Sequence, residues 1–301
     1  MARVSLPKPI PEYEKPFMEK LIMLGLVVLP LLGVLLAIVQ LWQRYVDARD
    51  LVLLVTFYVL TGLGITVGFH RLLTHKSFET FPLLKAFWLI CGSMALEGNP
   101  IRWASTHIQH HAHADDAHDP HSPLVSLWHA HVGWLFDFEA RPDIYGTWLK
   151  RDAVVVWVDR YWVLWGALGL LIPTLIAGWS GLLWGGLVRL FITHHITWAV
   201  NSICHTFGDR PYRTRDASRN QWFVGIFAFG EGWHNNHHAF PRSAYHGLEW
   251  WQIDVSAYLI RAMAALGLAW NVQTITETDK RKRRTVQESA REKNQGAFME
   301  L

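Results

Sequence analysis

The chain has 301 residues, 51% of them hydrophobic and 18% charged, with 17 tryptophans and a formal net charge of +3. That is too apolar for an ordinary soluble domain and too weakly basic for a nucleic-acid partner. Cys91 and Cys204 sit in apolar surroundings without C-x-x-C spacing and are read as buried thiols, not as a disulfide.

Residues 1–20 form a polar, proline-rich N-terminal segment that does not fit a secretory signal. Residues 21–39 run without a charge, long enough to cross a bilayer, with Pro30 as a candidate kink. A polar turn with Arg44, Asp47, Arg49 and Asp50 follows, and residues 51–69 make a second span that ends directly in His70. Residues 81–96 are apolar but shorter and include Pro82 and Lys85, which suits an interfacial or buried helix better than a span. Residues 102–160 are polar and rich in His, Asp and Trp. Apolar character returns over 161–203, enough for spans at 161–178 and 182–203 around a turn at Gly178, Trp179, Ser180 and Gly181. Arg189, His194 and His195 are costly there and are expected to face the bundle or an interface. After residue 209 the chain is polar, then amphipathic over 250–268. Residues 271–301, with a basic run at 280–284, read as a charged, disordered tail.

The expected fold is all-α and integral to a membrane: four transmembrane helices in two hairpins, with residues 70–160 and 205–270 forming a helical cap and 21–270 a single domain. An even span count puts both termini and both cap segments on one side. That side carries Arg71, Lys76, Lys85, Arg102, Lys150, Arg151 and the basic tail, against Arg44 and Arg49 opposite. The positive-inside rule assigns it to the cytoplasm.

Three histidine clusters carry the chemistry. They are His70 with His75, then His107, His110 and His111, then His234, His237 and His238; the last two share the spacing H-x-x-H-H. Residues three and four apart share a helix face, so each triplet can present imidazoles together. His70 and His75 are five apart, which a regular helix does not align, so a turn is expected between them. The clusters flank the spans and can converge just outside the bilayer around a polynuclear metal site. Imidazole suits zinc, copper, iron and nickel. No H-E-x-x-H string exists, and only one Glu-x-x-His string occurs, Glu231 to His234, where carboxylate-bridged di-iron bundles need two. His113, His118, His121, His129, His131, His194, His195 and His246 lack the spacing and are read as supporting or surface residues.

The strings HRLLTH (70–75), HIQHH (107–111) and HNNHH (234–238) resemble the three histidine boxes of the membrane fatty acid desaturases. Their surroundings, GITVGFHRLLTHKSFET, DPHS at 119–122, HVGWL at 131–135 and GEGWHNNHHAFP at 230–241, resemble the Δ9 branch, which includes the stearoyl-CoA desaturases and bacterial enzymes. The resemblance covers roughly residues 20–270. It implies four transmembrane helices under a cytosolic cap that holds two irons, in the plasma membrane of a bacterium. Through the string NSICHTFG (201–208), it also implies His205 as a ninth ligand and Asn201 as the holder of a metal-bound water.

The implied reaction is oxygen-dependent removal of two hydrogens from a saturated acyl chain, leaving a cis double bond, in a dry slot that orients a featureless chain. Trp103 and Trp198 neighbour ligand positions and are candidates to line that slot, with Asn99 as a further substrate contact. Ser105 and Thr106 carry no charge where the animal enzymes meet CoA, so fatty acyl-CoA and acyl-lipid substrates both stay open. Arg71, Lys76, Arg102 and Arg141 are candidate phosphate contacts. With no His-Pro-Gly-Gly haem string and no ferredoxin-like cysteine run, a separate donor such as ferredoxin or a small haem protein is expected. A histidine-box hydroxylase or ketolase, and a non-catalytic membrane metal or haem protein, are the rival readings.

Overall fold

The computed structural model describes residues 15–43, 45–138 and 141–285. Residues 1–14 of the N-terminal segment, Arg44 of the polar turn, residues 139–140 and residues 286–301 of the expected tail lie outside it. Among the described residues the chain is mostly helical, and three stretches are long and apolar enough to cross a membrane: Phe17–Trp42, Ala48–Thr74 and Trp162–His205.

Helix α1 (Phe17–Trp42) leaves leucines such as Leu29, Leu32 and Leu35 about half exposed. An apolar surface of that kind is unfavourable in water and suits lipid. Helix α2 (Ala48–Leu63) starts with a capping box in which Asp47 and Asp50 accept each other's backbone N–H. The Ser180 hydroxyl also donates to Asp50, 2.5 Å away, which ties this end to the next hairpin. From Gly64 to Thr74 the helix widens into a π-helix. Strand β1 (Glu79–Thr80) and helix α3 (Pro82–Ser93) follow. A Cβ on Gly64 would lie 2.1 Å from the backbone nitrogen of Gly92, so only glycine lets α3 approach the widened turn this closely. α3 buries Trp88, Leu89 and Cys91 and exposes Leu83 and Phe87, the two-faced character expected of an interfacial helix.

Asn99 caps α4 (Pro100–His113), accepting from the Arg102 N–H at 2.8 Å. A short π-turn (His129–Gly133), α5 (Trp134–Asp137) and α6 (Ala153–Arg160) lead to the third apolar stretch. Helix α7 (Trp162–Gly181) breaks at Ala177 and Gly178, where Gly178 takes a φ of +59°. The chain then doubles back through a π-turn (Leu182–Val188) into α8 (Arg189–Ser202). Pro173 packs against Gly181 and Gly185 across the hairpin, and the break at Ala177 begins the reversal one residue ahead of the expected turn. Arg189 faces the bundle, where its guanidinium donates to the carbonyls of Gly185, Met94 and Gly169.

The remaining elements are α9 (Trp222–Phe227), α10 (His234–Ala239), α11 (Val255–Ala265), β2 (Ala269–Trp270) and α12 (Glu277–Arg283). β2 pairs antiparallel with β1, Glu79 opposite Trp270. A core of Leu63, Val67, Phe78, Trp88, Ile260 and Met263 fastens α11 to the second apolar stretch and α3.

One expectation is overturned here: residues 271–285 are folded, not a disordered tail. A Thr276–Asp279 capping box starts α12. Lys280 is buried, donating to the Leu248 carbonyl at 2.9 Å and pairing with Glu277 at 2.7 Å, and Arg284 pairs with Glu249 at 3.2 Å. The charges have partners on the cap, so they do not oppose packing. Cys91 and Cys204 are buried and unpaired.

Candidate metal centre

The nine histidines singled out from the sequence converge in two sets. His70, His75, His107, His111 and His237 bring ring nitrogens within 4.8 Å of one another, and His110, His205, His234 and His238 do the same. The sets meet where the His111 and His238 rings stack at 4.4 Å. The two H-x-x-H-H strings divide in opposite ways. α4 sends His107 and His111 to the first set and His110 to the second; α10 sends His237 to the first and His234 with His238 to the second. In both, the i,i+4 pair shares a face, and the residue beside it turns to the neighbouring set.

The first cluster corrects the expected turn between His70 and His75. The π-helix closes a backbone bond from the His75 N–H to the His70 carbonyl at 3.1 Å, so residues five apart lie on one side, with ring centroids 4.8 Å apart. Such widened turns are frequent at functional sites. His205 arrives from a short 3-10 turn after α8 (Ile203–His205).

Nε2 atoms face one another at 3.1 Å for His70–His237, 3.0 Å for His75–His107, 2.8 Å for His111–His237, 3.0 Å for His205–His234 and 3.3 Å for His110–His238. Adjacent ligands on a cation about 2.0–2.1 Å from imidazole nitrogen stand roughly 3.0–3.4 Å apart, so the donor sets fit two metal ions. Burial, and then the neighbouring imidazoles, hold His75, His107, His111, His234, His237 and His238 well below the ordinary histidine range. They are neutral at pH 7, with lone pairs available.

An outer ring of carboxylates orients the rings, and sequence reasoning missed most of it. The Nδ1–H groups of His70, His110, His205 and His238 donate to Glu231 (2.6 Å), Asp119 (2.9 Å), Asp115 (2.9 Å) and Asp216 (2.9 Å). This fixes the tautomer that leaves Nε2 facing inward. Burial would raise Glu231, but His70, His246 and Arg71 outweigh it and keep the carboxyl well below its usual range. His110 and His121 do the same for Asp119. His246, read as a supporting residue, also reaches Glu231 at 3.1 Å. Arg71 is no phosphate contact: it is wholly buried and pairs with Glu231 and Asp254. Arg102 pairs with Glu19, and Arg141 with Asp143.

Among the described residues, two mainly apolar cavities adjoin the histidines. The larger, about 490 Å³, runs from Ile22, Met23, Leu26 and Val27 of α1 to His107. Trp103, Trp198, Asn99 and Asn201 all line it. The smaller, about 50 Å³, lies under His70 and His234 and shares Trp103, His107, Thr197 and Asn201 with the larger. Trp103 stacks on His107 at 5.4 Å and donates its indole N–H to Glu97 at 3.1 Å. Burial pushes Glu97 up to about 7, against hydrogen bonds from Trp103 and Thr197. Asn99 also contributes its side-chain oxygen to the α4 cap.

Residues 50–274 match the family model described as "Fatty acid desaturase". The chain is 44% identical over 226 residues to an "sn-1 stearoyl-lipid 9-desaturase" of Anabaena variabilis, covering 74% of this chain and 83% of that one. It is 42% identical over 233 residues to "Delta-9 acyl-lipid desaturase 1" of Arabidopsis thaliana, covering 75% of each. A "Hex-5-enoyl-[acyl-carrier protein] acetylenase" of Moorena producens (strain JHB) is 40% identical over 271 residues, covering 83% of this chain and 84% of that one.

Proposed function

The chain belongs to the fatty acid desaturase family, and from that premise we propose that it forms a cis double bond near the ninth carbon of a saturated acyl chain carried by a membrane lipid. The observation that carries this reading is the juxtaposition of two convergent imidazole sets with an apolar cavity that reaches the lipid-facing helix α1. His70, His75, His107, His111 and His237 would hold one iron, and His110, His205, His234 and His238 the other, with Asn201 holding a water beside them. Bound there, two irons reduced by one electron each would let dioxygen take two hydrogens from the chain and leave as water. The reading includes four crossings in two hairpins, with the cap on the cytoplasmic side of a bacterial plasma membrane. Two named relatives are lipid-linked 9-desaturases, and the α1 side of the cavity offers a lipid a lateral approach.

The chain's own residues supply placement. A methylene offers nothing to hydrogen-bond, so position along the chain must come from the shape of the slot. Trp103, held by Glu97 and laid on His107, forms a rigid wall where the two cavities meet. Beyond it the small chamber ends at Tyr58, whose hydroxyl donates to the Phe227 carbonyl and whose ring leans on Phe229 at 5.3 Å. Replacing Tyr58 with alanine deepens that end. Each extra buried methylene is worth about 0.8 kcal/mol, close to fourfold in selectivity. Tyr58→Ala is therefore expected to shift product toward longer chains, read by gas chromatography and mass spectrometry of the lipids. An unchanged chain-length profile would remove Tyr58 from the end of the slot.

The reading as a whole is tested by supplying the purified enzyme with saturated glycerolipid or saturated acyl-CoA, oxygen and reductant, and locating the new double bond. A double bond in the lipid is expected. A hydroxyl product would replace the reading with a hydroxylase, and product from acyl-CoA alone would overturn the lipid assignment.

A further inference from the structure

Two polar side chains of α8 reach out of that helix onto one turn of the chain, residues 94–96, between α3 and α4. Arg189 is wholly buried, and each of its three guanidinium nitrogens donates to a carbonyl: Nε to Gly185 at 3.1 Å, Nη2 to Gly169 of α7 at 2.8 Å and Nη1 to Met94 at 2.8 Å. His194, also buried, donates from Nε2 to the next carbonyl, that of Ala95, at 2.6 Å. A helix end leaves carbonyls unpaired, and these two, just past the end of α3, take their donors from α8. The turn between them and α4 is strained: Leu96 has a φ of +57°, a left-handed conformation that a bulky residue keeps only where its surroundings impose it. α7 closes the other side. A Cβ on Gly166 would lie 2.2 Å from Leu96 Cδ2, and one on Gly169 would lie 2.8 Å from the Met94 oxygen. The residue delivered by this gripped turn is Glu97, which accepts the Trp103 indole N–H at 3.1 Å. Trp103 lies on His107 at 5.4 Å and lines both cavities.

We propose that Arg189 and His194 are positioning residues for the acyl slot. Through the turn at 94–96 and Glu97 they fix where Trp103 stands, and so which pair of methylenes lies beside the histidine centre; this rests on the desaturase reading. A saturated chain carries no polar group to mark one carbon, so its register depends on walls that do not move. A misplacement of about 1 Å can cost about a hundredfold in rate, so a wall displaced by that much changes which carbons react. Neither residue belongs to the two ligand sets, so their loss should alter register and leave the metals in place. If they served the fold alone, their loss would cost protein or metal and leave the double-bond position unchanged.

The test gives the full-length enzyme, in lipid nanodiscs, saturated glycerolipid, oxygen and reductant, and locates the double bond in the product by mass spectrometry. In His194→Ala, the fraction of product with the bond displaced from its main position is expected to rise about tenfold or more, with both metals retained by elemental analysis. His194→Gln keeps an N–H for the Ala95 carbonyl and should bring that fraction back to within about twofold of the unaltered enzyme. Gly169→Ala presses on the Met94 carbonyl from the α7 side with both donors still in place, and should raise the displaced fraction by a smaller factor. Trp103→Phe removes the indole N–H that Glu97 accepts. Adding His194→Ala to that variant should change the fraction by less than about twofold further, because both changes act through one indole. An unchanged position in His194→Ala or in Gly169→Ala would overturn the proposal. So would fully multiplicative effects of His194→Ala and Trp103→Phe, or a His194→Ala protein that cannot be obtained with both metals. Absence of any double bond from the unaltered enzyme would overturn the desaturase reading and this proposal with it.

Discussion

Replacing His110 with alanine is expected to reduce product to below about 1% of the unaltered enzyme and to lower bound metal from two ions per chain toward one. Four imidazoles make up the second set, and His110 holds a central place in it, its Nε2 3.3 Å from that of His238 and its ring 5.0 Å from that of His205. The ring is buried, and alanine removes one of the four ring nitrogens that make up this set. Changes to the outer shell of a metal site cost about 10–100-fold in affinity or activity, and loss of a ligand should exceed that range. Asp119→Asn supplies the graded comparison. An amide oxygen can still accept from His110 Nδ1, but without the negative charge, so a loss within the 10–100-fold range is expected. Elemental analysis of purified protein and lipid product assays read both quantities, and circular dichroism checks that the helices persist. Full activity and two metals in His110→Ala would remove the second set from the reaction.

The triplets were legible in the sequence because α4 and α10 are regular helices, so spacing alone sets which imidazoles share a face. The pairing of His70 with His75 was not legible as a single turn. The widening from Gly64 to Thr74 depends on contact with α3, where Gly64 meets Gly92 and Gly68 meets Trp88, and that contact has no local signature. The carboxylate ring was partly visible. Glu231 had been noted as a lone Glu-x-x-His string, and Asp119 lies in the DPHS string after the second cluster. Asp115 and Asp216 reach their histidines only through loop geometry. The reading of residues 271–285 as a tail weighed charge and overlooked the Thr276–Asp279 capping box and the i,i+3 Glu277–Lys280 pair. Arg71, which reads from the sequence as a cytoplasmic-side charge and candidate phosphate contact, is instead wholly buried, as arginine rarely is without partners. Its partners Glu231 and Asp254 stand 160 and 183 residues away.

Arg71 is accordingly where the largest loss of stability is expected. Its side chain is wholly buried, with Nη1 donating to the Ala244 carbonyl at 2.8 Å and to Asp254 at 3.2 Å, and Nη2 reaching Glu231 at 3.2 Å and Asp254 at 3.0 Å. Asp254 also accepts the N–H groups of His246, Gly247 and Ala257, so it organises the loop before α11 and the first turn of that helix. One guanidinium thus joins the end of the second apolar stretch to the part of the cap that carries the third cluster. Arg71→Met keeps much of the volume and removes the cation, leaving Glu231 only its histidine partners and Asp254 only its backbone N–H donors. Breaking a buried pair from one side costs about 3–5 kcal/mol, which for a domain of this size lowers Tm by roughly 6–20 °C. Arg71→Lys should recover only part of this, because an ammonium cannot reproduce the planar fork that meets two carboxylates and a carbonyl together. Thermal unfolding of the detergent-solubilised protein measures both variants. A fall in Tm of less than about 3 °C for Arg71→Met would show that the cap does not depend on this ion cluster. Glu231 links this ion cluster to the histidine centre: Oε1 faces Arg71 and Oε2 faces His70 at 2.6 Å. Loss of the arginine should therefore weaken metal retention at the first set as well as the fold. Asp254→Asn leaves the Arg71–Glu231 contact in place, so it should lower Tm with a smaller loss of metal.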